Sequence, residues 1–180
     1  MATFLEDVNA QVKGAPLQRC FHCRKCTAGC PMAVAMDYKP NGVVRMVQQG
    51  KRREVLESSA IWLCVSCETC TMRCPNQVDI ARMFDVLRQM ALESGVRVAE
   101  KKVVAFHEAF LDSIEKGGRI HEALMVCAYK LKSGDLFSDV GIGLSMFAKG
   151  RLPLLGPKVE GKKEVRRLFD HAKKGGNGSH

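Results

Sequence analysis

The feature that most constrains this chain is a cysteine run that occurs twice with identical spacing. The first run consists of Cys20, Cys23, Cys26, Cys30 and Pro31, and the second of Cys64, Cys67, Cys70, Cys74 and Pro75. Each run reads C-x2-C-x2-C-x3-C-P, and the shift between them is 44 residues. Two copies are too few for a solenoid, so the repeat predicts two equivalent halves that each carry a cysteine loop.

This spacing is the one by which bacterial ferredoxins hold [4Fe–4S] clusters. Three cysteines spaced closely on a tight loop can converge on one iron–sulfur cube, and in two-cluster proteins the fourth cysteine ligates the other cluster. The proline after it turns the chain away from the site. The sequence therefore predicts two [4Fe–4S] clusters with a crossed set of ligands. The predicted ligands are Cys20, Cys23, Cys26 and Cys74 for cluster 1, and Cys64, Cys67, Cys70 and Cys30 for cluster 2.

Zinc is the competing interpretation, because paired C-x2-C units also build tetrahedral structural sites. Zinc would leave the third and fourth cysteines of each run unexplained, whereas two clusters use all eight. A disulfide framework fits a reducing cytoplasm poorly. The ninth cysteine, Cys127, lies on an apolar helical stripe and is expected to pack as a small hydrophobic residue. Trp62 is expected either to shield a cluster from water or to occupy an ordinary core position.

The two loops differ in charge. The first places His22, Arg24 and Lys25 between its cysteines, and the second places Val65, Ser66, Glu68 and Thr69 there. Positive charge favours the reduced, more negative state of a cluster, so we hypothesise that the first cluster has the higher potential. The alternative is that these side chains only face solvent.

The rest of the chain predicts a mainly helical scaffold. No segment alternates apolar and polar residues as a strand would. Asn41 is a candidate N-cap for a helix that ends near Gly50, and Asp79 for one that ends near Gly95. Three further amphipathic helices are expected before Gly117, before Gly134 and from Asp135 onward. We expect the cysteine core over residues 1–95, a helical docking segment over 96–172 and a flexible tail over 173–180.

Composition narrows the class of protein. The longest apolar stretch is far shorter than a membrane span, and the first residues do not resemble a secretory signal, so no membrane insertion and a cytoplasmic location are expected. The net charge is +9, and two clusters with their thiolates would lower it to about +5. No nucleotide-binding or hydrolase motif is present, and no catalytic residue is predicted. The basic stretch near the C-terminus leaves a zinc-stabilised nucleic-acid-binding module as a remote alternative, but no aromatic platform accompanies it and no nucleic acid is expected as partner.

With these motifs in place, the chain resembles the iron–sulfur C-subunit of heterodisulfide reductase. The resemblance begins with the first cysteine run and continues through Pro40–Gly50, Ile61–Cys64 and Cys74–Ile80. The segments Lys149–Leu154 and Lys158–Gly161 resemble the C-terminal part of that family. The cysteine runs alone are shared with the iron–sulfur subunits of succinate dehydrogenase, fumarate reductase and anaerobic glycerol-3-phosphate dehydrogenase, which remain the alternative.

The resemblance implies an α-helical ferredoxin fold and a non-catalytic electron-transfer subunit of an oxidoreductase. Its partners would be an A-subunit with FAD and iron–sulfur clusters, and a cysteine-rich B-subunit with non-cubane clusters where a disulfide is handled. The chain would then be part of a larger soluble hetero-oligomer.

Overall fold

The computed structural model of the protein describes residues 3–12, 14–134, 141, 149 and 160–176. This part of the chain is mainly helical and contains no strand, as the sequence predicted. It divides into two compact units, Met1–Glu100 and Lys101–His180. No helix among the described residues is long and apolar enough to cross a membrane.

The described residues of the first unit form seven helices and one 3-10 turn. The helices are α1 (Phe4–Gln11), α2 (Lys25–Ala28), α3 (Pro40–Gln48), α4 (Arg52–Leu56), α5 (Ala60–Leu63), α6 (Thr69–Met72) and α7 (Ile80–Glu93), and the 3-10 turn is Leu17–Arg19. The short helices α2 and α6 lie within the two cysteine runs and pack against each other. The longer helices α3 and α7 follow the two runs and provide about half of the buried apolar side chains of this unit.

The core of this unit is aliphatic, with one buried phenylalanine on its longest helix. Side chains with almost no exposed surface come from α3, α4, α5 and α7; they include Val43, Val44, Val47, Val55, Leu56, Ile61, Met83, Phe84 and Leu87. Trp62 is also buried, and its indole Nε1 has no hydrogen-bond partner among the described residues. Trp62 is not among the described residues that line either cavity at the cysteine runs.

The two helices that follow the cysteine runs begin differently. Helix α7 begins as predicted, because the Asp79 side chain accepts a hydrogen bond from the Arg82 backbone N–H at 3.0 Å. Helix α3 begins at Pro40 with Lys39 as its N-cap, so the prediction of Asn41 as the cap was wrong. Proline fits the first helical position because its φ is already helical and no N–H is needed there. Gly50, with φ of 72°, follows α3 as predicted.

Asp37 fixes the start of α5. Its two carboxylate oxygens accept hydrogen bonds from the backbone N–H groups of Ser59 and Ala60, each at 2.9 Å. Burial alone would raise the pKa of Asp37, but these bonds and one from Tyr38 outweigh it and lower that pKa. Asp37 therefore joins the beginning of the segment between the two cysteine runs to the end of that segment.

The second unit contains α8 (Lys101–Gly117), α9 (Glu122–Ser133) and α10 (Lys162–Gly176). Helices α8 and α9 pack against each other, and Gly134, with φ of 72°, ends α9 as predicted. Helix α10 continues to Gly176, so its last four residues fall in the stretch 173–180 that was predicted as a tail. The Lys173 ammonium forms an ion pair with the Glu115 carboxylate at 2.7 Å, which holds this end of α10. The helix expected from Asp135 lies mostly outside the described residues.

Cys127 on α9 is exposed, so the prediction that it packs in a core was wrong. The apolar stripe to which it belongs is exposed as well: Leu124 and Leu131 retain 63% and 72% of their surface. Periodicity showed that these residues share a helix face, but only the packing shows whether described residues cover that face.

Candidate functional site

The two cysteine runs adopt the same backbone conformation. Cys20 and Cys64 are extended, with φ and ψ of −67° and 119° in the first and −65° and 120° in the second. Each run then forms a loop that leads into a four-residue helix, α2 or α6. The repeat in sequence is therefore also a repeat in structure.

Two residues of each loop have a positive φ although neither is glycine. The pairs are His22 (54°) with Ser66 (51°), and Arg24 (62°) with Glu68 (57°), and each pair is separated by the 44-residue shift. This left-handed conformation is costly for such side chains and is typical of sites where the backbone must approach a ligand. It turns backbone N–H groups toward the cysteine sulfurs: the His22 N–H donates to Cys20 Sγ at 3.4 Å.

The structure brings the eight cysteines to two cavities, each with three residues of one run and the last of the other. The first cavity is lined by Cys20, Cys23, Cys26 and Cys74, and the second by Cys64, Cys67, Cys70 and Cys30. These are the two predicted ligand sets. Each cavity offers four thiols and inward N–H groups, which suit an iron–sulfur cluster. Among the described residues that line the two cavities, Glu68 is the one carboxylate.

Zinc gains no support from this arrangement. Within the described ranges, no group of three or more His, Cys, Asp or Glu side chains is close enough to hold a single metal ion. The four thiols of each cavity are thus not gathered tightly enough for the tetrahedron of a zinc site, whereas a cluster has its ligands at the corners of a larger cube.

Burial raises the pKa of three of the cysteines that line the cavities. It raises the pKa of Cys26 and Cys64, and it raises the pKa of Cys70 to about 11. Cys67 is the exception: it is exposed, its Sγ lies 3.4 Å from Thr69 Oγ1, and hydrogen bonding with Thr69 lowers its pKa. Cluster ligands are thiolates, so a cluster held by these cysteines would require the buried thiols to lose their protons.

A threonine follows the third cysteine of each run and connects it to the next long helix. Thr27 Oγ1 accepts a hydrogen bond from the Asn41 N–H of α3 at 3.1 Å, and Thr71 Oγ1 accepts one from the Ala81 N–H of α7 at 3.0 Å. The Thr27 and Thr71 hydroxyls also lower the pKa of the preceding cysteines, Cys26 and Cys70, although burial outweighs this effect. The two hydroxyls therefore fix the helices that cover the cavities.

One difference separates these two threonines. Thr71 also donates to Asp79 Oδ1 at 3.1 Å. The residue that corresponds to Asp79 as the cap of α3 is Lys39, which has no acceptor. The single hydrogen of the Thr71 hydroxyl is therefore directed to a carboxylate, while Thr27 Oγ1 has no carboxylate acceptor among the described residues.

His22 is held in place beside the first cavity by amide side chains. Its Nε2 lies 2.9 Å from Gln48 Oε1, and its Nδ1 lies 3.2 Å from Asn41 Nδ2, so both ring nitrogens have hydrogen-bond partners on α3. Gln48 in turn donates to the Leu17 carbonyl at 2.7 Å. Helix α3 thus positions the first loop.

The second loop is held by an ion pair instead. Arg88 of α7 pairs with Asp85, donates to Ser66 Oγ at 2.8 Å and donates to the Cys64 carbonyl at 3.2 Å. Helix α7 thus positions the second loop as α3 positions the first, with different side chains. Neither set of partners was identified from the sequence, because they belong to helices that follow the loops rather than to the cysteine motif.

Gly29 and Arg73 meet where the two halves pack together. They occupy the same position in the two runs, and a Cβ on Gly29 would lie 2.7 Å from Arg73 Nη1. A side chain at position 29 would displace the Arg73 guanidinium, which lies across the first run. Glycine therefore makes room for a side chain of the other half.

Comparison with known proteins agrees with this geometry. Residues 16–78 match the model of the 4Fe-4S dicluster domain family. The chain is 45% identical over 82 residues to the C-subunit of the ferredoxin:CoB-CoM heterodisulfide reductase of Methanosarcina acetivorans; the match covers 46% of this chain and 33% of that protein. The chain therefore spans about a third of the length of that relative.

Two further relatives match over more of their length. The C-subunit of the H(2):CoB-CoM heterodisulfide,ferredoxin reductase of Methanothermobacter thermautotrophicus is 29% identical over 133 residues, which are 74% of this chain and 70% of that protein. The C-subunit of the ferredoxin:CoB-CoM heterodisulfide reductase of Methanosarcina mazei is 31% identical over 112 residues, which are 59% of this chain and 69% of that protein. The chain belongs to the family of heterodisulfide reductase C-subunits, and its role is electron transfer through two [4Fe–4S] clusters.

Proposed function

We propose that this chain is the electron-transfer subunit of a heterodisulfide reductase-type complex in the cytoplasm. It relays electrons between an A-subunit, with FAD and iron–sulfur clusters, and a cysteine-rich B-subunit that handles the disulfide. Cluster 1 is held by Cys20, Cys23, Cys26 and Cys74, and cluster 2 by Cys64, Cys67, Cys70 and Cys30.

The observation that carries this proposal is the crossed lining of the two cavities. Cys74 lies with the first run and Cys30 with the second, so each cavity has four thiols only if both halves contribute. Cys26 lies on α2 and Cys70 on α6, and these two helices pack against each other, which supports a short path between the two sites. Bound [4Fe–4S] clusters supply one-electron chemistry.

The chain's own groups hold and shield the ligands. Cys26 is buried, whereas Cys23 and Cys67 are exposed, so each site has one corner that faces outward. A relay needs this arrangement: a covered interior between the two sites and an accessible corner at each end. No proton-transfer group is required, because electrons alone pass through the chain.

The first experiment tests the cofactor and the partners together. Anaerobic purification of a tagged chain from its own host should give a brown complex with about eight irons per copy of this chain. Two further proteins should co-purify with it, one that contains flavin and one that is rich in cysteine. A colourless chain with bound zinc and an intact fold would contradict the proposal.

The second experiment tests the crossed ligands. EPR spectra of the reduced clusters should lose the same component in Cys74→Ser as in Cys23→Ser, and the other component in both Cys30→Ser and Cys67→Ser. If Cys74→Ser instead matched Cys67→Ser, each run would bind its own cluster and the crossed assignment would be wrong.

A further inference from the structure

The outward corner of the first cavity is both apolar and cationic. Phe21 retains 77% of its surface, and Cys23, Arg24 and Lys25 beside it are exposed. All four residues line the first cavity. We call this surface the Phe21 face; neither of its cations forms an ion pair with any described residue.

The corresponding corner of the second cavity has the opposite charge. Val65 retains 58% of its surface, Cys67 and Glu68 are exposed, and no cation is among the described residues that line this cavity. We call Val65, Cys67 and Glu68 the Val65 face. Arg88 lies near its base, but Asp85 neutralises it.

The two faces are built on the same backbone, which makes the charge difference informative. Arg24 and Glu68 occupy equivalent positions with φ of 62° and 57°, so the loop presents a cation in one half where it presents an anion in the other. Lys25 is replaced in the second half by Thr69, which is neutral. Local folding therefore does not require either charge.

Neutralising the cluster does not account for this difference. Both clusters would carry the same charge with their four thiolates, so a need for compensation would apply equally to the two loops. Between the first three cysteines of each run, only the first run has arginine or lysine, and both residues, Arg24 and Lys25, are exposed. The charge difference thus fits two different external surfaces better than two equal internal sites.

From this difference we infer that the Phe21 face docks a redox partner whose surface around its own cofactor is acidic. Phe21 is the apolar anchor, since an aromatic side chain at the centre of a patch commonly dominates binding, and Arg24 and Lys25 supply steering and orientation. The Val65 face docks a different partner without an acidic surface. This inference rests on the proposed function, and it assigns one end of the relay to the acidic partner.

Exchanging the first loop's charges for those of the second tests the inference. Arg24→Glu combined with Lys25→Thr copies the residues of the second half, which adopt the same backbone, so the loop should still fold. Lys51→Thr combined with Arg97→Glu is the matched control, because it removes the same net charge from exposed positions outside both cavities. Iron content and EPR spectra should match the wild type in both variants.

Binding is then measured between each loaded variant and its two redox partners separately, the flavin-containing protein and the cysteine-rich protein, at low and high salt. The loop variant should bind one of the two partners at least about tenfold more weakly at low salt and lose most of the salt dependence. The control should bind both within about twofold of the wild type. In the wild-type complex, a zero-length carbodiimide should link Lys25 to an Asp or Glu of that same partner.

The outcomes separate this inference from the proposed function. Unchanged binding of both partners by the loop variant, or no cross-link from Lys25 to either one, would overturn the docking inference while the relay stands. Equal weakening by the control would also overturn it, because net charge alone would then explain the effect. If neither redox partner binds the wild-type chain, the proposed function and the docking inference both fail.

Discussion

Thr27 and Thr71 occupy equivalent positions, yet only Thr71 donates to a carboxylate, Asp79. The Thr27 hydroxyl is therefore free to donate to the sulfur of the adjacent Cys26, and this difference should be measurable as redox potential. Thr27→Val should lower the potential of the cluster that Cys26 is proposed to hold by about 40 mV, whereas Thr71→Val should change the potential at Cys70 by less than about half of that. The reason is that a hydrogen bond to a ligand sulfur stabilises the more negative reduced state.

The magnitude follows from the hydrogen bonds in the structure. One hydrogen bond contributes about 1 kcal/mol, which corresponds to about 40 mV for a one-electron couple. Thr71 Oγ1 lies 3.1 Å from Asp79 Oδ1. Because an ionised carboxylate can only accept, the Thr71 hydroxyl is the donor of this hydrogen bond. Thr27 Oγ1 has no carboxylate acceptor among the described residues.

The assay is an EPR-monitored redox titration of the holoprotein, with Thr27→Ser and Thr71→Ser as controls that keep the hydroxyl. Both valine variants lose the acceptor for a helix N–H, so both should lose about 1 kcal/mol of unfolding free energy. Equal losses of unfolding free energy in Thr27→Val and Thr71→Val would show that the two substitutions disturb packing to the same extent. Equal potential shifts in the two valine variants, or shifts in the serine variants as large as in the valine variants, would refute the reasoning.

Three further predictions concern stability of the first unit, measured by anaerobic denaturant unfolding. Leu87→Ala should lower the free energy of unfolding by about 3 kcal/mol, because Leu87 is fully buried. Leu92 lies on the same helix but is 53% exposed, so Leu92→Ala should lower it by less than about 1 kcal/mol. Equal losses in the two variants would contradict the assigned core. Gly42→Ala should raise the free energy of unfolding by about 0.5 kcal/mol, because the backbone there is helical and there is open space for a Cβ. Gly50→Ala should lower it by about 1 kcal/mol, because Gly50 has a φ of 72°. Changes of the same sign in the two variants would be inconsistent with these conformations. Asp37→Ala should lower the free energy of unfolding by about 1 kcal/mol at pH 7, because the carboxylate that caps α5 is lost. The difference between wild type and variant should stay constant down to about pH 5, because the pKa of the Asp37 carboxyl is lowered in the folded state and the stabilisation is lost only as pH falls through that pKa. A difference that shrinks between pH 7 and 5 would count against this prediction.

Much of the fold could be predicted because its signals are local. The helix after Asp79 was identified from one capping residue and an apolar periodicity, and both are present in the structure. The start of α3 was misplaced because a proline and an asparagine close together both suit a helix N-terminus, and only the backbone distinguishes them. Cys127 was misplaced for a different reason, since periodicity defines a face of a helix but not what covers it.

The surroundings of the cysteines could not be predicted, because they come from residues distant in the chain. Gln48 supports His22 across 26 residues, and Arg88 reaches the Cys64 carbonyl across 24. Thr27 and Thr71 could have been found, since both follow the third cysteine of their run, but nothing in the sequence connects them to helix termini. Their role depends on where α3 and α7 begin.

By itself, the sequence determined the type of centre, because ligand chemistry and ligand spacing are properties of short segments. The doubled run with its prolines was enough to predict two [4Fe–4S] clusters on a helical scaffold. Only the tertiary structure decided which side chains surround each run, that Arg73 lies against Gly29, and that Phe21 and Val65 face outward. These features depend on how the two halves pack together, and packing is set by long-range contacts that no short segment encodes.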